Sequence, residues 1–435
     1  MSKEQERIPV SKVQRASKFI KTGAKVGGNY IKHYSKKLLD PELSREQLDA
    51  DNAEDIYASL SELKGSALKV AQMLSMDKNI LPPAYQQKFV MSQYSAPPLS
   101  YPLVVKTFKK AFDKGPDELY DTFSRSAVNA ASIGQVHKAT LDGNTLAVKI
   151  QYPGVADSIS SDLKMVRPVA ASMFKISSAE LDQFMGEVES KLIEETDYEL
   201  ELQRSMHITE RCAHLDGLMF PTYYPELSDK RILTMQWIDG VHIGEWLATN
   251  PDQAQRNLVG QRLWDFYHYQ IHDLKLVHAD PHPGNFLITP GRQVGILDFG
   301  CVKEIPEDFY EQYFQLMTAD ILQPDFDLEK LFLQLGFLSP TDTTKEKAFF
   351  IELFRESILL LGKPFRTDTF DFGDNAYFAK IYEIGERVSK MKEVRNSKTA
   401  RGNKHGLYIN RTYFGLYNIL NELKAVVNTG AGILG

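Results

Sequence analysis

The chain has 435 residues, 43% hydrophobic and 25% charged, with a formal net charge of -6; at ~150 residues per domain that length holds two or three domains or one large two-lobed unit. The acidic balance excludes a general nucleic-acid binder, whose phosphate contacts need a basic surface. Cys212 and Cys301 are too few for a disulfide framework, no stretch reaches the ~20 apolar residues of a spanning helix, and the charged N-terminus lacks a signal-peptide core, so a reducing, cytoplasmic location is expected.

Residues Met1–Asp40 are locally basic, with Lys12, Arg15, Lys18, Lys21, Lys25, Lys32, Lys36 and Lys37 interleaved with Val13, Phe19, Ile20, Tyr30 and Ile31. Such a segment either lies peripherally on an anionic membrane surface or packs its apolar stripe on the body, interrupted by Gly23, Gly27 and Gly28. Ala53–Asp77 predicts a helix stopped by Leu81-Pro82-Pro83, with Ile56, Leu60, Leu63, Leu68, Val70, Met73 and Leu74 near the helical period. On it Lys69 and Gln72 share a face, which alone describes a solvated surface.

A linker, Ser95–Pro102, leads to a helix around Leu103–Phe112. Val128–Thr140, the turn Asp142-Gly143-Asn144 and Thr145–Gln151 then predict strand, small-residue loop, strand, turn and strand. Alternation puts Lys149 on the face opposite Leu146, Val148 and Ile150. Protein kinases cover the phosphates with a flexible loop and contact them with a lysine on the third strand. Ala147-Val148-Lys149-Ile150 fits that lysine slot, and Ala130-Ala131-Ser132 followed by Gly134 stands where kinases carry a glycine-rich loop. Only Gly134 freely adopts positive φ there, so a stiffer loop is expected. No Walker A motif occurs, which excludes a P-loop NTPase on motif grounds.

Ser178–Leu215 reads as one long acidic helix, and a kinase needs one helix-borne glutamate to pair with the strand lysine. Asp197 and Glu201 share a face, and spacing does not choose among the acids. Arg231–Val241 is an apolar strand ending in Asp239-Gly240, a natural hinge, followed by helices at Gly244–Leu247 and Gln253–Leu274.

Lys275–Val302 carries the chemistry. His278, Asp280 and Asn285 match the kinase catalytic loop HRDxxxxN, and Asp298 opens an Asp-Phe-Gly. Pro281 and Pro283 keep the loop from helix, and Phe286–Ile288 and Val294–Leu297 predict short strands joined by a turn. Two hard oxygen ligands on loop ends suit Mg²⁺, which takes carboxylate and amide oxygens plus phosphate. The prolines also defeat a zinc reading of His278 and His282, because no helix brings both rings to one face. Further helices follow at Pro306–Ile321, Asp327–Leu335, Thr344–Leu361, Tyr377–Lys390 and Tyr408–Lys424. Strands before the hinge and mainly helices after it predict an α+β two-lobed fold: an extension over 1–50, a helical segment over 51–100, an N-lobe over 101–240 and a C-lobe over 241–435.

With Lys69-x-x-Gln72, Ala130-Ala131-Ser132, Lys149, Glu195-x-Asp197, HADPHPGN and Asp298-Phe299-Gly300 in this order, the chain resembles the UbiB-like atypical kinases over about residues 51–435. These are kinase-like ATPases tied to ubiquinone biosynthesis. The resemblance implies a protein-kinase-like fold with its N-terminal helical extension packed over the active site, and a protein that uses ATP and Mg²⁺. Lys149 would contact the phosphates and pair with Glu201, Asp280 would be the catalytic aspartate, and Asn285 and Asp298 the Mg²⁺ ligands. Lys69 and Gln72 would form a lid motif facing Glu195 and Asp197. Two positions depart from the family pattern: Ala71 replaces the lid glycine, and Asn129 replaces the first alanine of the phosphate loop. Slow ATP hydrolysis or phosphate transfer to a non-protein acceptor, such as a lipid or quinone precursor, is then the expected activity. The alternatives are a nucleotide-binding pseudoenzyme scaffold in a membrane-associated complex and a small-molecule kinase of the aminoglycoside type. The last does not call for the Lys69/Gln72 helix.

Overall fold

The computed structural model describes residues 12–37, 46–63, 99–130, 133–173, 178–395 and 401–430. Lys69, Ala71, Gln72, Ala131 and Ser132 lie outside them, and of Ala130 only the backbone is described. The chain divides into two compact units, Met1–Gln203 with Thr222–Trp237, and Arg204–Pro221 with Ile238–Gly435.

The first unit is built on a five-stranded sheet. Its strands are β1 (Thr122–Phe123), β2 (Asn129–Ala130), β3 (Gly134–Leu141), β4 (Asn144–Gln151) and, after the excursion of Arg204–Pro221, β6 (Ile232–Gln236). β3 pairs antiparallel with β4, closing at Leu141↔Asn144. Asp142 and Gly143 there both take positive φ, 51° and 78°, as a tight hairpin requires of its two central residues. Leu146, Val148 and Ile150 sit on one sheet face in a core with Val104, Phe108 and Tyr120. Val104 and Phe108 come from the Tyr101–Phe112 helix, which takes Pro102 into its first turn.

Helices cover the remainder of this unit. Lys12–Lys37 and Glu46–Leu63 pack as a pair joined by Lys25–Asp55 at 3.3 Å and Asn29–Asn52 at 3.1 Å. Val155–Met173 is a helix that sequence periodicity does not announce, because Ser158, Ser160, Ser161, Ser172 and Pro168 dilute its apolar pattern. The acidic stretch is two helices rather than one, Ser178–Glu195 and Tyr198–Cys212. Thr196 turns its hydroxyl back to the Ile193 carbonyl at 2.9 Å, and the Asp197 carboxylate accepts the Leu200 N–H at 3.1 Å, opening the second helix.

The second unit is mainly helical around one extended core that includes Trp264, Phe266, Tyr267, Phe299 and Tyr417. Its principal sheet has four strands in the order β5 (Leu218–Met219), β10 (Val294–Ile296), β9 (Phe286–Ile288) and β7 (Val241–His242). β8 (Leu276–His278) pairs with β11 (Val302–Glu304). The helix predicted over Gln253–Leu274 is regular only to His268 and then widens into a π-helical turn, Tyr269–Asp273. Lys404–Leu423, capped by the Asn403 side chain on the His405 N–H, buries Ile409, Thr412, Tyr413, Leu416 and Tyr417. A last two-stranded antiparallel ladder of β12 (Thr369–Asp371) with β13 (Val426–Asn428), distant in the chain, has no sequence signal strong enough to announce it. Among the described residues no helix is long and apolar enough to cross a membrane.

Candidate active site

In the first unit β4 places Lys149 between Val136 and Leu233 on its neighbouring strands. Its Nζ donates to both carboxylate oxygens of Glu201, at 2.7 and 3.0 Å, and lies 4.9 Å from the centre of the Tyr198 ring. The break at Thr196-Asp197 makes this pairing geometrically possible, since it restarts the helix so that Tyr198 and Glu201 come to β4. Sequence spacing left open which acid meets Lys149, and it is Glu201; Asp197 instead caps the helix that carries it. Glu195 closes the preceding helix and is partly exposed.

Gly134 has a different importance from the one expected. Its φ is not positive. A Cβ there would lie 2.7 Å from the Ile150 carbonyl oxygen and 2.7 Å from the Tyr198 hydroxyl, so glycine lets β3, β4 and the Glu201 helix approach closely. Asn129 and Ala130 form a short strand against β3.

The second unit holds the catalytic-loop residues. β8 runs into the loop, where Ala279 donates to the Cys301 carbonyl at 2.8 Å and ties it to the segment after Asp-Phe-Gly. The Asp280 carbonyl accepts from the His282 N–H at 2.7 Å and from the Asn285 amide at 2.9 Å. Pro283–Asn285 form one 3₁₀ turn, begun by Pro283 and capped by His282 Nδ1 on the Gly284 N–H. β9 and β10 then return with Phe286 opposite Ile296, and the Leu297 N–H donates to the Asn285 carbonyl at 3.1 Å. Asn285 and Asp298 are thereby held at the neighbouring ends of two paired strands. The Asp298 carboxylate accepts the Gly300 N–H at 2.7 Å.

The donor chemistry fits Mg²⁺. A carboxylate and an amide oxygen stand on adjacent strand ends, and the Asn285 amide nitrogen is already spent on Asp280, which turns its oxygen to the other side. Among the described residues no group of three or more His, Cys, Asp or Glu that could hold a metal occurs.

His278 is buried, its ring 5.6 Å from that of Phe299 and its Nδ1 3.2 Å from the Tyr267 hydroxyl. Burial lowers its pKa, while Asp280 and Asp298 pull the other way. A neutral ring thus joins the catalytic loop to the Asp-Phe-Gly. One contact of Asp280 escaped sequence reasoning: Arg411, on the Lys404–Leu423 helix, has Nη2 3.3 Å from Asp280 Oδ1. No motif spacing points to it, since 131 residues separate the two.

Comparison with known proteins places the chain in a family. Residues 91–329 match the family described as ABC1 atypical kinase-like domain. A protein of Dictyostelium discoideum named probable serine/threonine-protein kinase abkA is 26% identical over 97% of this chain and 78% of its own length. The atypical kinase coq-8, mitochondrial, of Caenorhabditis elegans is 28% identical over 88% of this chain and 50% of its own. The atypical kinase COQ8, mitochondrial, of Saccharomyces cerevisiae is 28% identical over 86% and 75%. A solved structure, Rv3197 of Mycobacterium tuberculosis in complex with erythromycin, superposes with a TM-score of 0.58 at 25% identity, covering 89% of this chain and 97% of that one.

Proposed function

Because the chain belongs to the ABC1 atypical kinase-like family, we propose that it binds Mg-ATP and either hydrolyses it slowly or passes the γ-phosphoryl group to a non-protein acceptor, in support of isoprenoid-quinone or lipid metabolism. The observation that carries this reading is the hydrogen-bonded frame that gathers Asp280, Asn285 and Asp298 in the second unit. The attacking oxygen, of water or an alcohol, gives its proton to Asp280 as it bonds to the γ-phosphorus, while the bridging oxygen leaves with ADP. By the family pattern Lys149, which Glu201 orients, would supply a cation for the α- and β-phosphates. Asn285 and Asp298 would hold Mg²⁺, which neutralises charge developing on the phosphates.

The relatives' printed names place two of them in mitochondria. A peripheral membrane contact suits the Lys12–Lys37 helix, which exposes Lys21, Lys32 and Lys36 together with Ile31 at 72% and Tyr34 at 53%. The test is phosphate release from Mg-ATP by purified protein, with and without anionic liposomes and a phenolic quinone-precursor analogue, beside Asp280→Asn. Turnover that vanishes in the variant supports the reading. Nucleotide binding without turnover under every condition transfers the assignment to a nucleotide-binding scaffold.

A further inference from the structure

We propose that Arg411 is the positioning residue for Asp280, and that the C-terminal Lys404–Leu423 helix sets the direction of the catalytic carboxylate. The inference rests on the reading of Asp280 as proton acceptor and adds a residue to it. Within the loop, the hydrogen bonds at Asp280 fix its main chain, since its carbonyl takes the His282 N–H and the Asn285 amide. The carboxylate is met from outside. Arg411 Nη2 stands 3.3 Å from Oδ1, with both side chains about 30% exposed.

One helical turn further on, the same face bears Gly415. A Cβ there would fall 2.3 Å from Cγ of Pro281 and 3.2 Å from its carbonyl oxygen. Helix backbone therefore presses on the residue after Asp280 while a helix side chain reaches Asp280 itself. Positions four apart on a helix are neighbours, so Arg411 and Gly415 act on two consecutive loop residues as one clamp.

The clamp is itself fixed. Tyr413 donates to or accepts from His272 Nε2 at 3.1 Å, and the Tyr417 hydroxyl reaches the Leu361 carbonyl at 3.0 Å. Thr412 and Leu416, flanking the two clamp residues, are fully buried. A helix so anchored cannot roll to release its loop-facing side.

An ion pair with nearly a third of each side chain exposed contributes only modestly to folding, so stability alone does not account for the arrangement. Orientation does. Phosphoryl transfer through a loose transition state gains mainly from placing the nucleophile, and small misplacements cost large factors in rate. A guanidinium also offsets the repulsion between an anionic base and an incoming polyphosphate.

The experiment compares full-length wild type, Arg411→Ala, Arg411→Lys and Gly415→Ala. Mg-ATP turnover, the ATP-induced shift in Tm, and hydrogen exchange of the segment 277–286 are measured together. Arg411→Ala should lower kcat about ten-fold or more with KM for ATP within about two-fold, and exchange in 277–286 should quicken. Arg411→Lys should recover a large part of kcat, because the contact is a single end-on bond. Gly415→Ala should lower kcat with Arg411 intact. Unchanged exchange and kcat in Arg411→Ala would overturn the proposal, as would a rise in KM as large as the fall in kcat, which would make Arg411 a nucleotide ligand. Wild type that binds ATP without turnover would sink the phosphotransfer reading alone, while exchange in 277–286 would still decide whether Arg411 holds the loop.

Discussion

The Lys149–Glu201 pair offers the sharpest quantitative test of the first unit. Its two bonds measure 2.7 and 3.0 Å, and the side chains are 16% and 3% exposed. At 2.7 Å and an effective dielectric constant of ~20, the Coulomb attraction is about 6 kcal/mol, part of which offsets the cost of removing both charges from water. Removing one partner of such a pair costs about 3–5 kcal/mol, and the exposures predict an asymmetry. Lys149→Met strips its cation from a carboxylate sealed at 3% exposure. Glu201→Gln leaves an ammonium that still faces the Tyr198 ring and has some access to solvent. The first variant should therefore be the less stable, by about 1–2 kcal/mol, and the double variant should recover part of the loss.

Urea denaturation followed by tryptophan fluorescence reads this out, with Trp237 reporting from the first unit. A double-mutant cycle should give a coupling energy of about 2–3 kcal/mol. Single effects that add to within about 0.5 kcal/mol would refute the pairing, because residues in direct ionic contact do not behave independently. A larger loss in Glu201→Gln than in Lys149→Met would refute the argument from burial.

Asp298→Asn should keep the fold, since the amide oxygen can still accept the Gly300 N–H, yet lose most of the ~2.7 kcal/mol that wild type gains at a hundred-fold excess of Mg-ATP over Kd; equal melting shifts in both proteins would remove the metal assignment. Acid should destabilise the second unit. Burial pushes the pKa of His272 down to about 3 and that of His268 well below its ordinary value, so the unfolded chain binds protons that the folded one refuses. Stability is then complete well above pH 6.5 and falls as the pH drops below it, by about 1.4 kcal/mol per pH unit for His272 down to about pH 3, with His268 acting in the same direction, and urea midpoints from pH 7 to 5 should show a shallower slope in His272→Phe. Arg401→Ala should cost about 3–5 kcal/mol in the same assay, because the guanidinium bonds both oxygens of Asp342 at 2.8 and 2.9 Å with side-chain exposures of 10% and 5%. Gly260→Ala should destabilise by about 1–2 kcal/mol despite its gain in helix propensity, since the new methyl would sit 2.5 Å from Ala425 Cβ.

What could be read from the sequence was local. The Asp142-Gly143 turn, the strand facing of Lys149 and the helix-breaking prolines around Asp280 follow from backbone chemistry within a few residues, and the structure carries each of them. The kinase-like α+β fold followed because these signals occur in a fixed order. Misreadings arose where a side-chain bond or a close packing contact overrode the local pattern. An acidic run with helical periodicity gives no hint that Thr196 and Asp197 will stop it, because the stop is made by hydrogen bonds available to many helical threonines and aspartates. Gly134 was read for its conformational freedom, yet the Ile150 carbonyl and the Tyr198 hydroxyl require its smallness.

Arg411 illustrates the deeper limit. A loop with prolines at 281 and 283 lacks two N–H donors, and the bonds it does make hold its main chain rather than the Asp280 carboxylate. Support for the carboxylate comes here from the end of the chain, through a helix whose outward face looks ordinary: an arginine and, four residues later, a glycine that propensity would count only as a weakness. Each becomes informative only when Asp280 and Pro281 are seen opposite them. The loop motif names residue types at a spacing, and it is silent on what packs against them. In a family recognised by its loop, differences in rate between members should therefore be sought on the supporting helix as well as in the motif.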